Sequence, residues 1–203
     1  MSTLALKPVV LASASAARAA MLANAGLEVG REPAGIDEDE VKLSFRREGI
    51  DAARCATALA EAKAMRVSER HVGTLVIGAD QMLDCSGTWF DKPRDLDEAR
   101  VQLAALRGKR HELVTAAAVV QNGAVIWRRV ERPRLTMRDF SDQFLDCYLA
   151  AAGDDALGTV GAYRLEGLGV QLFSRIEGDY FSILGLPLLA LLDFLRGRGV
   201  VLP

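Results

Sequence analysis

The stretch TLVIGAD, residues 74–80, is the most restrictive part of this chain. Its apolar positions follow one another without alternation, so a strand built from them meets apolar neighbours on both faces. That is the situation of a central strand in an α/β sheet and not of a half-exposed hairpin. The run closes on Asp80, so the strand is expected to carry a carboxylate to the point where it leaves the core.

The flanking segments fit such a sheet. PVVLAS, residues 8–13, reads as a short buried strand, and residues 16–25 as an alanine-rich helix with Ser15 as its N-cap and Gly26 as its end. A loop of glycine and acids, PAGIDEDE, leads to a helix over 53–69, on which Ala56, Ala60, Lys63 and Val67 share one stripe. After a turn at Cys85–Gly87 comes a helix opened by a pair resembling a capping box, Asp95 and Glu98, with Leu96, Ala99, Leu103 and Leu106 at helical spacing. Strands over 111–120 and 124–138 flank Asn122-Gly123, a hairpin turn signal. A helix over 141–151, a Gly-rich loop, a strand GVQLFSRI and a last helix starting near Pro187 complete the chain. Strands alternating with helices, then a hairpin, predict an α/β fold with a central mixed sheet flanked by helices. No repeat and no long linker divides residues 1–203, which read as a single domain.

Composition narrows the partners. The 203 residues are half hydrophobic and about a quarter charged, as in ordinary globular proteins. With 25 Lys and Arg against 27 acids, the net charge of −2 leaves no general basic surface, which argues against a bulk nucleic-acid binder and confines any anion site to a local cluster. Cys55, Cys85 and Cys147 are odd in number and widely spaced, which suggests reduced packing thiols in a cytosolic protein. No apolar run approaches a membrane span, and MSTLALKPVV lacks a signal peptide's cleavage pattern, so the expected compartment is the cytoplasm and no membrane partner is expected.

Several residues suggest chemistry together. In LASASAAR, a helix start with exposed N–H groups adjoins Ser13, Ser15 and Arg18, a combination suited to an anion. Serine capping and a surface arginine would also explain it. Asp80 with one of Asp37, Glu38, Asp39 or Glu40 offers hard oxygen ligands for Mg²⁺ or Mn²⁺, and a solvated acidic loop explains the others. Lys63, on its apolar stripe, either snorkels to water or serves as a fixed cation. Arg18, Lys63 and Lys92 as cations, with a metal between two carboxylates, are what a reaction on a polyphosphate needs to neutralise developing negative charge. Other chemistries lack their signatures: there is no Walker phosphate loop, GLGVQL at 167–172 lacks a dinucleotide fingerprint's third glycine, His71 and His111 have no zinc-like spacing, and no G-x-S-x-G elbow is present.

With those residues in place, the sequence resembles the Maf family, also called septum-formation inhibitor proteins. The matching blocks fall in order over nearly the whole chain: LASASAAR (11–18), IDE (36–38), LAEAKA (59–64), IGADQML (77–83), DKP (91–93), EARVQLAALRGKRHELVTAAAV (98–119), GAYRLEGLG (161–169) and GDYFSILGLPL (178–188). The resemblance implies a nucleoside triphosphate pyrophosphatase that uses a divalent cation, cleanses the nucleotide pool and is associated with septum formation. It also implies two lobes around a cleft, as in inosine triphosphate pyrophosphatases, and a homodimer. Carried residue by residue, it makes Asp80 the acceptor of the proton from water, Glu38 with Asp80 the metal ligands, and Ser13, Ser15, Arg18, Lys63 and Lys92 the phosphate contacts. The family often has S-P-R-R where this chain has Ser15, Ala16, Ala17 and Arg18, so one customary cation is missing. Gln81 and Glu166 resemble the branch acting on 7-methyl-GTP; a branch for dTTP and UTP has glutamine at the second position. A catalytically weak nucleotide-binding regulator of cell division is the alternative from another class.

Overall fold

The computed structural model describes residues 5–202. Among them are eight strands and seven α-helices, in an open mixed sheet flanked by helices. The chain divides into two compact units, one from 1–80, 115–131 and 180–203, the other from 81–114 and 132–179.

In the first unit, β1 (Val9–Leu11) lies parallel between β2 (Val29–Arg31) and β3 (Leu75–Cys85), with Val9 opposite Val29 on one side and Leu75 on the other. Side chains alternate across these strands. Val9, Leu11, Leu75, Ile77 and Ala79 pack with Met21 and Leu22 of α1 (Ala16–Asn24) and with Leu188, Leu191 and Leu195 of α7 (Leu188–Gly197). Val10, Ala12 and Val76 pack instead with Ala64 and Val67 of α3 (Ala52–Ser68). The strands are therefore covered on both faces, as their unbroken apolar runs require. The unit also holds α2 (Glu38–Arg47), α6 (Tyr180–Ile183), and the later half of β5 (Arg110–Gln121) paired antiparallel with β6 (Ala124–Glu131). The Thr115 hydroxyl donates to the Ser182 carbonyl at 2.8 Å, fixing α6 to β5.

In the second unit, the later part of β3 pairs antiparallel with β4 (Thr88–Phe90), and the start of β5 pairs with β7 (Arg134–Met137), which pairs with β8 (Phe173–Glu177). Helices α4 (Leu96–Leu106) and α5 (Asp142–Ala152) are joined by an Arg107–Asp142 ion pair at 2.6 Å. Leu103, Leu106, Leu113, Leu135, Met137, Leu145 and Leu172 are fully buried. His111 is buried beside Tyr163 and Phe173, with Nε2 2.8 Å from the Tyr163 hydroxyl.

Five expectations change. GVQLFSRI is not one strand: Leu168–Leu172 is a 3-10 segment, and β8 runs only over Phe173–Glu177. β3 does not stop at Asp80 but continues to Cys85, so Asp80 lies within a strand, 3% exposed, instead of at its exit. The acidic loop is instead the start of a helix: Asp37 caps α2 through Glu40 N at 3.0 Å, and Glu38, Asp39 and Glu40 form its first turn, where acids favour the helix dipole. Residues 124–138 form two strands interrupted at Pro133, which lacks the N–H a continuous ladder needs. Cys55 and Cys85 are buried thiols, whereas Cys147 is exposed on α5 and is not a packing residue.

Candidate active site

The site grows from one close approach. Gly78 and Asp80 share the face of β3 that meets α3, since alternate strand residues point the same way. A methyl group on Gly78 would lie 2.0 Å from the Ala60 carbonyl oxygen and 2.9 Å from Ala64 Cβ, so glycine is what allows α3 to come so near. One turn along α3 from Ala60 stands Lys63, which thereby reaches Asp80: its Nζ is 2.6 Å from Asp80 Oδ1. The same ammonium is 2.8 Å from Glu38 Oε1, in the first turn of α2. Lys63 is 7% exposed, so it bridges two carboxylates and does not snorkel.

The α1 start supplies the other side. Ser15 Oγ accepts from Arg18 N at 3.3 Å and caps the helix, while Ser13 Oγ accepts from Ser15 N at 3.2 Å. The capping role weighed for Ser15 is thus real, and it leaves the first-turn amides of Ala16 and Ala17 without a carbonyl one turn earlier. Arg18 is not a loose surface side chain. Its Nη1 donates to Ser13 Oγ at 3.3 Å and to the Ala79 carbonyl at 2.9 Å, and its Nε donates to the Gly185 carbonyl at 2.8 Å.

Electrostatics separate the two carboxylates. Burial raises the Asp80 carboxyl above the ordinary aspartate range, outweighing the pull of Lys63 and Arg18. Burial also works against the charge of Glu38, yet Lys63, with Lys42 and Arg18, holds it below the usual range. Burial lowers the Arg18 guanidinium, opposed by Asp80 and Glu38, and it stays charged. Asp80 Oδ2 is buried and has no hydrogen-bond partner among the described residues. A buried carboxylate oxygen left so is costly unless something binds there. Glu38 and Asp80 together fit Mg²⁺ or Mn²⁺, which take hard oxygen donors and often need only one or two carboxylates when substrate phosphates complete the shell. Among the described residues no group of three or more His, Cys, Asp or Glu side chains could hold a metal without such help.

Ser13, Ser15, Arg18, Glu38, Lys63 and Asp80 thus all lie in the first unit, in two sets of contacts, Ser13–Ser15–Arg18 and Glu38–Lys63–Asp80, that Arg18 links through the carbonyl of Ala79, the residue before Asp80. Gln81 follows Asp80 on β3 and is half-buried. Lys92 is exposed before α4; its preceding residue, Asp91, is held through its carbonyl by Gln102 Nε2 at 3.1 Å. Glu166 is exposed in the turn before the 3-10 segment Leu168–Leu172. These three belong to the second unit. Three residues escaped the sequence reading, the first being Ala79, whose carbonyl accepts from Arg18. Gly185 bonds Arg18 through a carbonyl, which no residue type announces, although G-L-P-L stood in a matching block. Lys42 is the buried residue of α2, one turn beyond Glu38.

The chain belongs to the Maf family: the family model described as Maf-like protein matches residues 8–198. It is 56% identical over 194 residues to the nucleoside triphosphate pyrophosphatase of Paramagnetospirillum magneticum, covering 96% of this chain and 100% of that one. It is 56% identical over 187 residues to that of Granulibacter bethesdensis, covering 92% and 95%. A Mesorhizobium japonicum protein named 7-methyl-GTP pyrophosphatase is 48% identical over 193 residues, covering 95% and 97%.

Proposed function

We propose that this protein is a nucleoside triphosphate pyrophosphatase, cutting the α–β phosphoanhydride to give a nucleoside monophosphate and pyrophosphate, and that its preferred base is a modified purine of the 7-methylguanine kind. The observation that carries the reaction is the buried Asp80 carboxylate, clamped at Oδ1 by Lys63 and with no partner for Oδ2 among the described residues. A carboxyl whose pKa burial has raised is better matched to general-base work near neutrality than an ordinary aspartate. Relatives at up to 56% identity over nearly the whole chain, named for this activity, support the same reading.

In this mechanism Asp80 Oδ2 accepts a proton from water as the water oxygen bonds to the α-phosphorus. The bond from that phosphorus to the α–β bridging oxygen breaks, and pyrophosphate leaves. Lys63 holds Asp80 in one orientation and, with Arg18, offsets the charge gathering on the phosphates; the resemblance to the family alone makes Lys92 a further phosphate contact. Ser13, Ser15 and the α1 amides bind phosphate oxygens as a helix N-terminus does. Glu38 and Asp80 would hold a divalent cation, Mg²⁺ or Mn²⁺, whose charge screens the phosphates and polarises their oxygens.

The base preference rests on Gln81 and Glu166, and on the 48%-identical relative named for 7-methyl-GTP. The same reading treats residues 1–203 as one functional domain, working in the cytoplasm as a homodimer on free nucleotides, in a role tied to septum formation. No helix of the described residues is long and apolar enough to cross a membrane. The test is a panel of 7-methyl-GTP, dTTP, UTP, GTP and ATP with Mg²⁺ or Mn²⁺, resolving pyrophosphate from orthophosphate. We expect pyrophosphate, fastest from 7-methyl-GTP, and a shift toward dTTP and UTP in Glu166→Gln. Preference for dTTP or UTP in the wild type would overturn the base assignment, and orthophosphate as the product would overturn the reaction.

A further inference from the structure

Arg18 has more partners within the chain than a phosphate contact needs. Its Nη1 bonds the Ala79 carbonyl at 2.9 Å, and its Nε bonds the Gly185 carbonyl at 2.8 Å. The Ala79 carbonyl belongs to the peptide that joins Ala79 to Asp80, so a donor fixed on that oxygen fixes the plane from which the Asp80 side chain departs. The Gly185 carbonyl lies 167 residues along the chain from Arg18, in a turn that is itself ordered: Gly185 N donates to the Ser182 carbonyl at 3.1 Å and Leu186 N to that of Phe181 at 3.1 Å. Ser13 Oγ, at 3.3 Å from Nη1, completes the set.

We infer that Arg18 is a positioning residue for Asp80, a planar strut that ties the peptide ahead of the carboxylate to the turn at Gly185. The guanidinium suits this because its donors lie in one rigid fork and reach two carbonyls at once; a lysine ammonium on a flexible stem does not hold two such oxygens in a fixed relation. Gly185 is part of the device. Its φ of +103° is a conformation that side chains resist, and a Cβ there would lie 3.3 Å from Arg18 Nε. The turn therefore presents a bare carbonyl to the strut, and a change at Gly185 is transmitted to Asp80 without removing any charge from the site.

This inference rests on the pyrophosphatase reading for its kinetic readout alone. The experiment compares Arg18→Lys and Gly185→Ala with the wild type in two measurements: kcat and KM for pyrophosphate release, and amide hydrogen exchange across 79–82, with circular dichroism to confirm folding. Displacing a catalytic group by about an ångström can cost on the order of 100-fold. Both variants are expected to lose about 10- to 100-fold in kcat, with KM within about threefold of the wild type, since Arg18→Lys keeps the positive charge and Gly185→Ala removes none, so ground-state binding stays in place. Exchange across 79–82 is expected to quicken in both. A raised KM with kcat retained in Arg18→Lys would reduce Arg18 to a phosphate contact alone and overturn the strut. So would a Gly185→Ala protein with wild-type kcat and unchanged exchange. If one variant fails to fold, the other decides. A wild type that releases no pyrophosphate sinks the pyrophosphatase reading, and the exchange rates still judge the strut: unchanged in both variants, they overturn it.

Discussion

Asp80 carries two opposing demands in one side chain. Its burial disfavours the ionised form, while Lys63 at 2.6 Å and the charge of Arg18 favour it, and burial prevails. Because the folded pKa lies above the unfolded one, near 3.9 for a free aspartate, ionisation costs stability once pH rises through that ordinary range, and the cost is absent below it. Asp80→Asn is expected to lose turnover while keeping the fold, which circular dichroism checks; a variant that turns over normally would remove Asp80 from its role. In a pH profile of kcat/KM, the acid limb is expected above the ordinary aspartate range. Lys63→Met should move that limb further up, because the nearest favourable charge is gone. A limb that stays put would separate Lys63 from the protonation of Asp80.

At the scale of elements, the site exists because α3 lies against β3 at Gly78. Gly78→Ala sets a methyl 2.0 Å from a backbone oxygen, which neither a rotamer change nor a small side-chain shift relieves. We expect about 1–3 kcal/mol of lost stability in a urea titration, the usual range for overpacking, together with loss of activity as Lys63 moves away from Asp80. Wild-type stability in that variant would mean that α3 is not held as described. These two elements were readable from the chain because their apolar runs are long and regular. The short β2, β4 and α6 were not read, and neither was α2, which inverts the usual pattern: Lys42 is buried and Leu43 is 46% exposed, so no apolar stripe marks it, and its acidic first turn looks like a loop. The end of β3 was missed for a related reason, since Gln81 and Asp84 interrupt the apolar run that announced its beginning. Of the candidate site, Arg18, Glu38, Lys63 and Asp80 stood out by residue type and position, whereas Lys42 did not, because nothing marks one lysine of a polar helix as buried. The carbonyls of Ala79 and Gly185 could not be read, because every residue has one and only the fold selects which are used.

Across the whole molecule, the second unit adds a pH dependence of its own. His111 is buried against Tyr163 and Phe173, and burial pushes its pKa down to about 4. A histidine lowered in this way contributes stability that is complete above its unfolded value, about 6.5, and is lost as pH falls toward 4. The difference corresponds to roughly 3 kcal/mol. The denaturation midpoint should therefore fall between pH 6.5 and 4, and the slope should flatten in His111→Gln; an equal slope in both proteins would remove His111 as its source. This dependence is separate from the acid limb of catalysis, which belongs to Asp80 in the first unit. The central claim is that Asp80 directs water onto the α-phosphorus of a nucleoside triphosphate. Turnover in ¹⁸O-labelled water, with mass analysis of both products and Asp80→Asn alongside, tests it most directly. The account predicts label in the nucleoside monophosphate, unlabelled pyrophosphate, and neither product from the variant. Label in the pyrophosphate, or unchanged turnover by Asp80→Asn, would contradict it.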